Sequence, residues 1–278
     1  MKRGLAAVLT LLFLVVPYVS SGAENPWEKK LPFENAAITY TLSGMESGEE
    51  VLYIRKYGKE SASYRTTKTS MLGMTMINRS VEIMTPDWIY SFDLQEGTGT
   101  KSINPQKVMT EEFEKLPAAD QEKVLANAEE MGSGLMSGMQ GSIEKNAKTI
   151  LGYQCDKVTV LGSTIYSIHG TPIALHTESN IMGVTVKSVA TKIDKGAVPD
   201  KYFQYPEGIV PEPDPEADRM ARIMAEQSIS MLKDPEAFKE KNQGSFMKMV
   251  PGKSEEISPE EQQQLEEAMK ALKGLFGN

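Results

Sequence analysis

Histidine and cysteine carry much of the acid–base, nucleophilic and metal chemistry open to a protein, and this chain holds only His169, His176 and Cys155. Nucleophilic hydrolysis needs a base held beside the nucleophile. His169 precedes Gly170 at a predicted turn, His176 sits in a predicted strand beside Thr177, and no G-x-S-x-G elbow accompanies either. Both therefore read as structural or solvent-facing side chains. Three such residues cannot build the closed nitrogen–sulfur sets of zinc, iron–sulfur or haem centres. Cys155 has no second cysteine to bridge and reads as a small buried hydrophobe. The acidic pairs Glu49-Glu50, Glu111-Glu112 and Glu255-Glu256 are sequence neighbours, which point apart on strands and helices. No D-x-[DN]-x-[DN]-G calcium loop is present. Gly132 to Gly141 is glycine-rich but lacks the lysine of a phosphate loop. The expectation is a chain that is not an enzyme, with no catalytic residue, metal or cofactor.

Methionine is the unusual count, at 17. Met71, Met74 and Met76 form one group, and Met131, Met136 and Met139 another. Thioethers suit Cu(I), but on a strand Met74 and Met76 face one side and Met71 the other, so the three do not converge without a bulge. Methionine also fills irregular apolar gaps and lines adaptable binding surfaces. Nearby, Trp88, Tyr90, Phe92 and Leu94 alternate with Asp87, Ser91 and Asp93. That aromatic strand face is either sheet core or the wall of an apolar groove. Met74, Met76, Trp88, Tyr90 and Phe92 are accordingly the candidate ligand-binding residues.

Strands must hold these side chains. Ile38, Tyr40 and Leu42 alternate with Ala37, Thr39 and Thr41, and further strands are expected over 51–57, 62–69, 71–84, 87–94 and 100–103. Consecutive strands with short connections imply an antiparallel meander. The period then becomes helical: Thr110 is expected to cap a short helix at Glu111 to Leu116. A second helix begins near Pro117 with Val124, Ala128 and Met131 on one face. Glycine costs a helix interior about 1 kcal/mol relative to alanine, so Gly132 to Gly141 is expected to be a mobile connection. Strands resume near Ile150, over 155–160, 163–168, 172–177 and 181–193, with 201–205 closing the β region. Pro211-Glu-Pro-Asp-Pro215 reads as a stiff linker. Beyond it Met220, Ile223, Met224 and Met231 share a helix face, and Ser258-Pro259-Glu260-Glu261 starts a last helix.

At the other end, Lys2 and Arg3 precede an apolar run from Leu5 to Val16, and Ser21-Gly22-Ala23 supplies the small residues of a cleavage site. The run is shorter than the roughly 20 apolar residues of a spanning helix. Residues 1–23 therefore read as a signal peptide cleaved after Ala23, which places the protein in the periplasm. No later segment reaches spanning length. The formal net charge of −8 argues against nucleic acid as a partner. The expected organisation is a signal peptide over 1–23, a β-rich domain over 24–210 with a helical insert near 110–140, and a linker with a helical tail over 211–278.

Ile150-Leu-Gly-Tyr-Gln-Cys-Asp-Lys-Val-Thr-Val160 places a G-Y-x-C step at the entry to a strand, after a strand meander and a helical insert. On Gly152, Tyr153 and Cys155, and on the arrangement of residues 35–205, the chain resembles an uncharacterised family of exported bacterial proteins similar to the periplasmic lipoprotein-carrier (LolA-like) group. The resemblance implies an α+β fold in which a curved antiparallel sheet, an incomplete barrel, packs on helices and keeps an apolar concave face. The helical extension after Pro215 departs from that pattern, and no catalytic residue carries over. The expected function is non-enzymatic binding or carriage of a hydrophobic ligand, such as lipid or lipidated protein, in the periplasm. The alternative is a structural or assembly factor of the envelope that docks a partner protein through its C-terminal helices.

Overall fold

The computed structural model describes Trp27 and residues 30–71, 74–138, 141–181 and 184–237. The signal segment and the helix expected at Ser258 lie outside the described residues. The chain divides into two units, Met1–Phe238 and Lys239–Asn278, and every described residue belongs to the first.

That unit is dominated by one curved, unclosed sheet. The first meander comprises β1 (Ala36–Gly44), β2 (Glu46–Arg55), β3 (Glu60–Met71), β4 (Met74–Met84), β5 (Trp88–Asp93) and β6 (Thr98–Ile103). Helices α1 (Pro105–Glu114) and α2 (Ala118–Gly138) follow. The second meander comprises β7 (Ser142–Ile150), β8 (Tyr153–Val160), β9 (Ser163–Ile168), β10 (Ala174–Ile181) and β11 (Val184–Asp194). A two-residue strand, β12 (Glu212–Pro213), and a last helix, α3 (Pro215–Lys233), complete the unit. Strand order is β12-β6-β5-β4-β3-β2-β1-β11-β10-β9-β8-β7. The two meanders are thus joined by the antiparallel β1–β11 pair, and the end strands β7 and β12 do not meet. β12 runs parallel to β6, which makes the sheet mixed. Among the described residues no helix is long and apolar enough to cross a membrane.

Apolar side chains are buried on both faces of the sheet. Ile38, Tyr40, Ile54, Cys155, Ile168 and Leu175 form one core with Leu31 and Phe33 of the lead-in. Ala62, Val81, Ile83, Tyr90 and Phe92 form another, joined by Tyr53. Tyr53 and Ile54 are adjacent on β2, and alternation sends them to opposite faces. The helices add cores of their own, where Phe113, Val124, Ala128, Ile229 and Leu232 pack together and Val108 packs with Ile103, Ala221 and Ala225.

Several local expectations are corrected. The first helix starts at Pro105, not at Thr110. Asn104 Oδ1 accepts from Gln106 N at 2.9 Å, its Nδ2 donates to Thr85 O at 2.8 Å, and proline fills the first helical position. The next helix continues through Gly132 and Gly134 to Gly138, because glycine weakens a helix but keeps the N–H that proline would remove. β7 is a strand that periodicity does not predict, since it is exposed almost throughout and carries no alternation. The segment expected to close the β region forms a short 3-10 turn at Asp200–Phe203. On α3 the buried residues are Ala221, Ala225, Ile229 and Leu232, while Met220 of the expected methionine face is 45% exposed. Asp214 caps that helix by accepting from Ala217 N at 3.0 Å, and Asp218 accepts from Ile103 N at 2.6 Å, which ties it to β6.

Candidate functional site

Register places Tyr53, Ala62, Tyr64, Val81, Ile83, Trp88, Tyr90 and Phe92 on one face of the first meander. Residues 199–210 cross this face as a strap. The ring of Tyr202 stacks on Tyr53 at 3.8 Å between centroids, and Tyr64 Oη donates to the Tyr202 carbonyl at 3.1 Å. Phe203 lies 3.7 Å from the Arg55 guanidinium, which also pairs with Glu60 at 2.7 Å and with Asp200. Tyr205 packs on Tyr90 and Phe92 at 4.9 and 5.5 Å. Close approach is needed at one point: Gly99 lies opposite Phe92, and a Cβ there would stand 2.6 Å from the ring.

The strap does not seal the face. Ile83, Thr85, Tyr90, Phe203, Gln204 and Tyr205 line a hollow of about 360 Å3 that is open to solvent. Its lining is mostly apolar, and burial first, then Tyr205, pushes the Tyr90 phenol up to about 12. Tyr90 is therefore a neutral phenol at ordinary pH.

The five candidate residues are not brought together. Phe92 is 2% exposed and Tyr90 is buried beside it. Trp88 is half-buried on the same face, packed towards Ile103, Val108, Ala221 and Ala225, with Lys101 Nζ 3.7 Å above its ring. Met76 lies on the opposite face and is 57% exposed. The side chain of Met74 lies outside the described residues, as do those of Met71, Met131, Met136 and Met139. Sequence reasoning misses Tyr202, Phe203 and Tyr205. Their signal is three aromatics within four residues ahead of Pro206, a pattern that also fits a closing strand.

The nucleophile and base candidates are held apart. Cys155 is fully buried, its Sγ donates to Tyr153 O at 3.5 Å, and burial raises its thiol above the ordinary range, so it stays a protonated hydrophobe. Asp156 is fully buried, accepting from Asn146 N at 2.8 Å and lying 2.7 Å from His169 Nδ1. This carboxylate orients the imidazole, yet no hydroxyl or thiol hydrogen-bonds to His169 among the described residues. His176 is 3.6 Å from Glu178 and packs on Tyr166. Among the described residues no group of three or more His, Cys, Asp or Glu is placed to hold a metal ion.

No family model matches the chain, and no curated protein matches it. Among solved structures, an uncharacterised conserved protein from Thermus thermophilus is similar at 9% identity and a TM-score of 0.38, over 74% of this chain and 99% of that one. A structure of PNGF-II is similar at 11% identity and a TM-score of 0.34, over 69% of this chain and 33% of that one. Likeness at that level supports no functional reading.

Proposed function

We propose that this is a non-enzymatic, exported binding module that takes an apolar group, such as a lipid chain, in the hollow between β4, β5 and the aromatic strap. The fold is read as an incomplete barrel of the lipoprotein-carrier kind, and residues 1–23 as the signal that delivers it to the periplasm. The observation that carries the reading is the hollow itself. At about 360 Å3 it stands at the small end of the range of ligand pockets, about 300–1,000 Å3, and Ile83, Tyr90, Phe203 and Tyr205 line most of it. Tyr205 is 47% exposed while resting on Tyr90 and Phe92. It is thus the residue an entering chain would displace at least cost in buried area.

The alternative, docking of an envelope protein through the C-terminal helices, draws little from α3. That helix buries Ala221, Ala225, Ile229 and Leu232 against α1, α2 and β6 and leaves Met220 as its exposed large apolar side chain. Titration of the purified protein with a fluorescent polyene fatty acid tests the proposal. The expected result is saturable uptake, with affinity altered several-fold by Tyr205→Ala, about what removal of one aromatic contact changes. Uptake that never saturates, or is indifferent to Tyr205→Ala and to filling of the hollow by Gln204→Trp, overturns it.

A further inference from the structure

Two cations rest on aromatic rings of the first meander, and their surroundings differ. Arg55 is satisfied: its guanidinium lies on the Phe203 ring at 3.7 Å, pairs with Glu60 at 2.7 Å and also pairs with Asp200. Lys101 on β6, directly across from Tyr90 on β5, is not. Its Nζ stands 3.7 Å from the centre of the Trp88 ring and 5.9 Å from that of Tyr90, and it makes no hydrogen bond or ion pair among the described residues.

Three aspartates near this end of the sheet are engaged elsewhere. Asp87 pairs with Lys107 at 2.5 Å, Asp214 accepts from Ala217 N at 3.0 Å, and Asp218 accepts from Ile103 N at 2.6 Å. Lys101 itself is half-buried, and its flexible four-carbon stem lets the ammonium swing without moving the strand. The Tyr90 ring beside it also lines the open hollow under Tyr205. An unpaired positive charge and an apolar recess therefore share one ring.

We infer that the ligand of the hollow is a fatty carboxylate, its chain lying against Ile83, Tyr90 and Tyr205 and its head paired with Lys101. This names the class of ligand and rests on the apolar-ligand reading of the same hollow. A lysine ammonium has three N–H donors, and the contact of one with a carboxylate is charge-assisted and stronger than a neutral hydrogen bond. One ammonium matches one negative charge. A dianionic head would leave a surplus charge close to Asp87, whose carboxylate already acts on Tyr90. A cationic head would meet Lys101 as a like charge.

Isothermal titration of the purified protein with decanoate and with decanol, which share a chain and differ in the charge of the head, tests this. The expected result is saturable binding of both, with decanoate about tenfold tighter, the worth of one charge-assisted contact. Partition into a merely greasy surface would favour decanol instead. The preference should shrink as salt is raised, since salt screens exposed charges. Lys101→Met keeps an apolar stem on Trp88 and should bring decanoate to the level of decanol while leaving decanol unchanged, and Lys101→Arg should retain the preference. If Lys101→Met fails to fold, the decanoate preference of the unaltered protein and its salt dependence decide. Equal or tighter binding of decanol, decanoate affinity indifferent to Lys101→Met, or tighter binding of decylammonium or decyl phosphate overturns the inference and leaves the apolar hollow standing. Failure of both decanoate and decanol to bind overturns the two together.

Discussion

The two faces of the first meander solve opposite problems with alternate residues of the same strands. On one, Tyr53, Ile83, Tyr90 and Phe92 are covered by Tyr202, Phe203 and Tyr205 from a remote segment. On the other, Glu50, Ser63, Glu82 and Ser91 are left with little cover. Towards β1 that same face becomes apolar and joins the core of the second meander, around Ile38, Ile54, Cys155 and Leu175 under Leu31 and Phe33. A strand's period of two says that its faces differ, but not which face the chain will cover.

That contrast breaks most easily at Phe92. Phe92→Ala should destabilise the protein by about 3–5 kcal/mol, while Ser91→Ala, one residue away on the other face, should stay within about 0.5 kcal/mol. Denaturant midpoints of the two variants measure the difference directly, and equal midpoints would show that the strap does not make a core. Gly99→Ala comes next. Its methyl would meet the Phe92 ring at 2.6 Å, and overpacking of that kind costs about 1–3 kcal/mol. A crystal structure should show the ring displaced away from residue 99, with Ile209, 3.3 Å from the new methyl, shifting as well.

Tyr202→Ala removes a stacked ring from Tyr53 and should cost about 1–2 kcal/mol, counting lost area and aromatic contact. Hydrogen exchange should then quicken across 199–210 while the β1–β11 ladder keeps its protection. The smallest effect belongs to the polar face. Glu82 is raised in the fold, so the folded state favours its protonated form and loses stability as pH rises through and above the ordinary carboxylate range. Glu82→Gln should therefore melt roughly one or two degrees higher than the unaltered protein at neutral pH. The gap should close below about pH 4, where the carboxyl is protonated in both states. A gap that widens on acidification would reverse the assigned direction.

Legibility follows the strength of local periodicity. The alternation of Ile38, Tyr40 and Leu42, and of Trp88, Tyr90 and Phe92, marks strands that are present, and the strand expected over 163–168 has its observed bounds at Ser163–Ile168. β7 escapes because a strand exposed on both faces has no alternation to read. The start of α1 escapes because Asn104-Pro105 sits beside a predicted strand end, and the capping role of Asn104 depends on Thr85, 19 residues away. The candidate site is half legible: Trp88, Tyr90 and Phe92 share a face, whereas Met76 lies on the other one.

The sequence by itself determined that the chain would be rich in strands with short connections, that a lone cysteine and two histidines could build no closed nitrogen–sulfur metal set, and that aromatic side chains would line one side of β5. Those properties are local, set by residue type and by spacings of two to four. Only the tertiary structure decided that residues 199–210 return to lie on that aromatic face, that β1 joins β11 and not β6, and that Lys101 stands beside the Tyr90 ring that lines the hollow. Each depends on the register between strands or on contact between segments far apart in the chain, and spacing along a single strand carries neither.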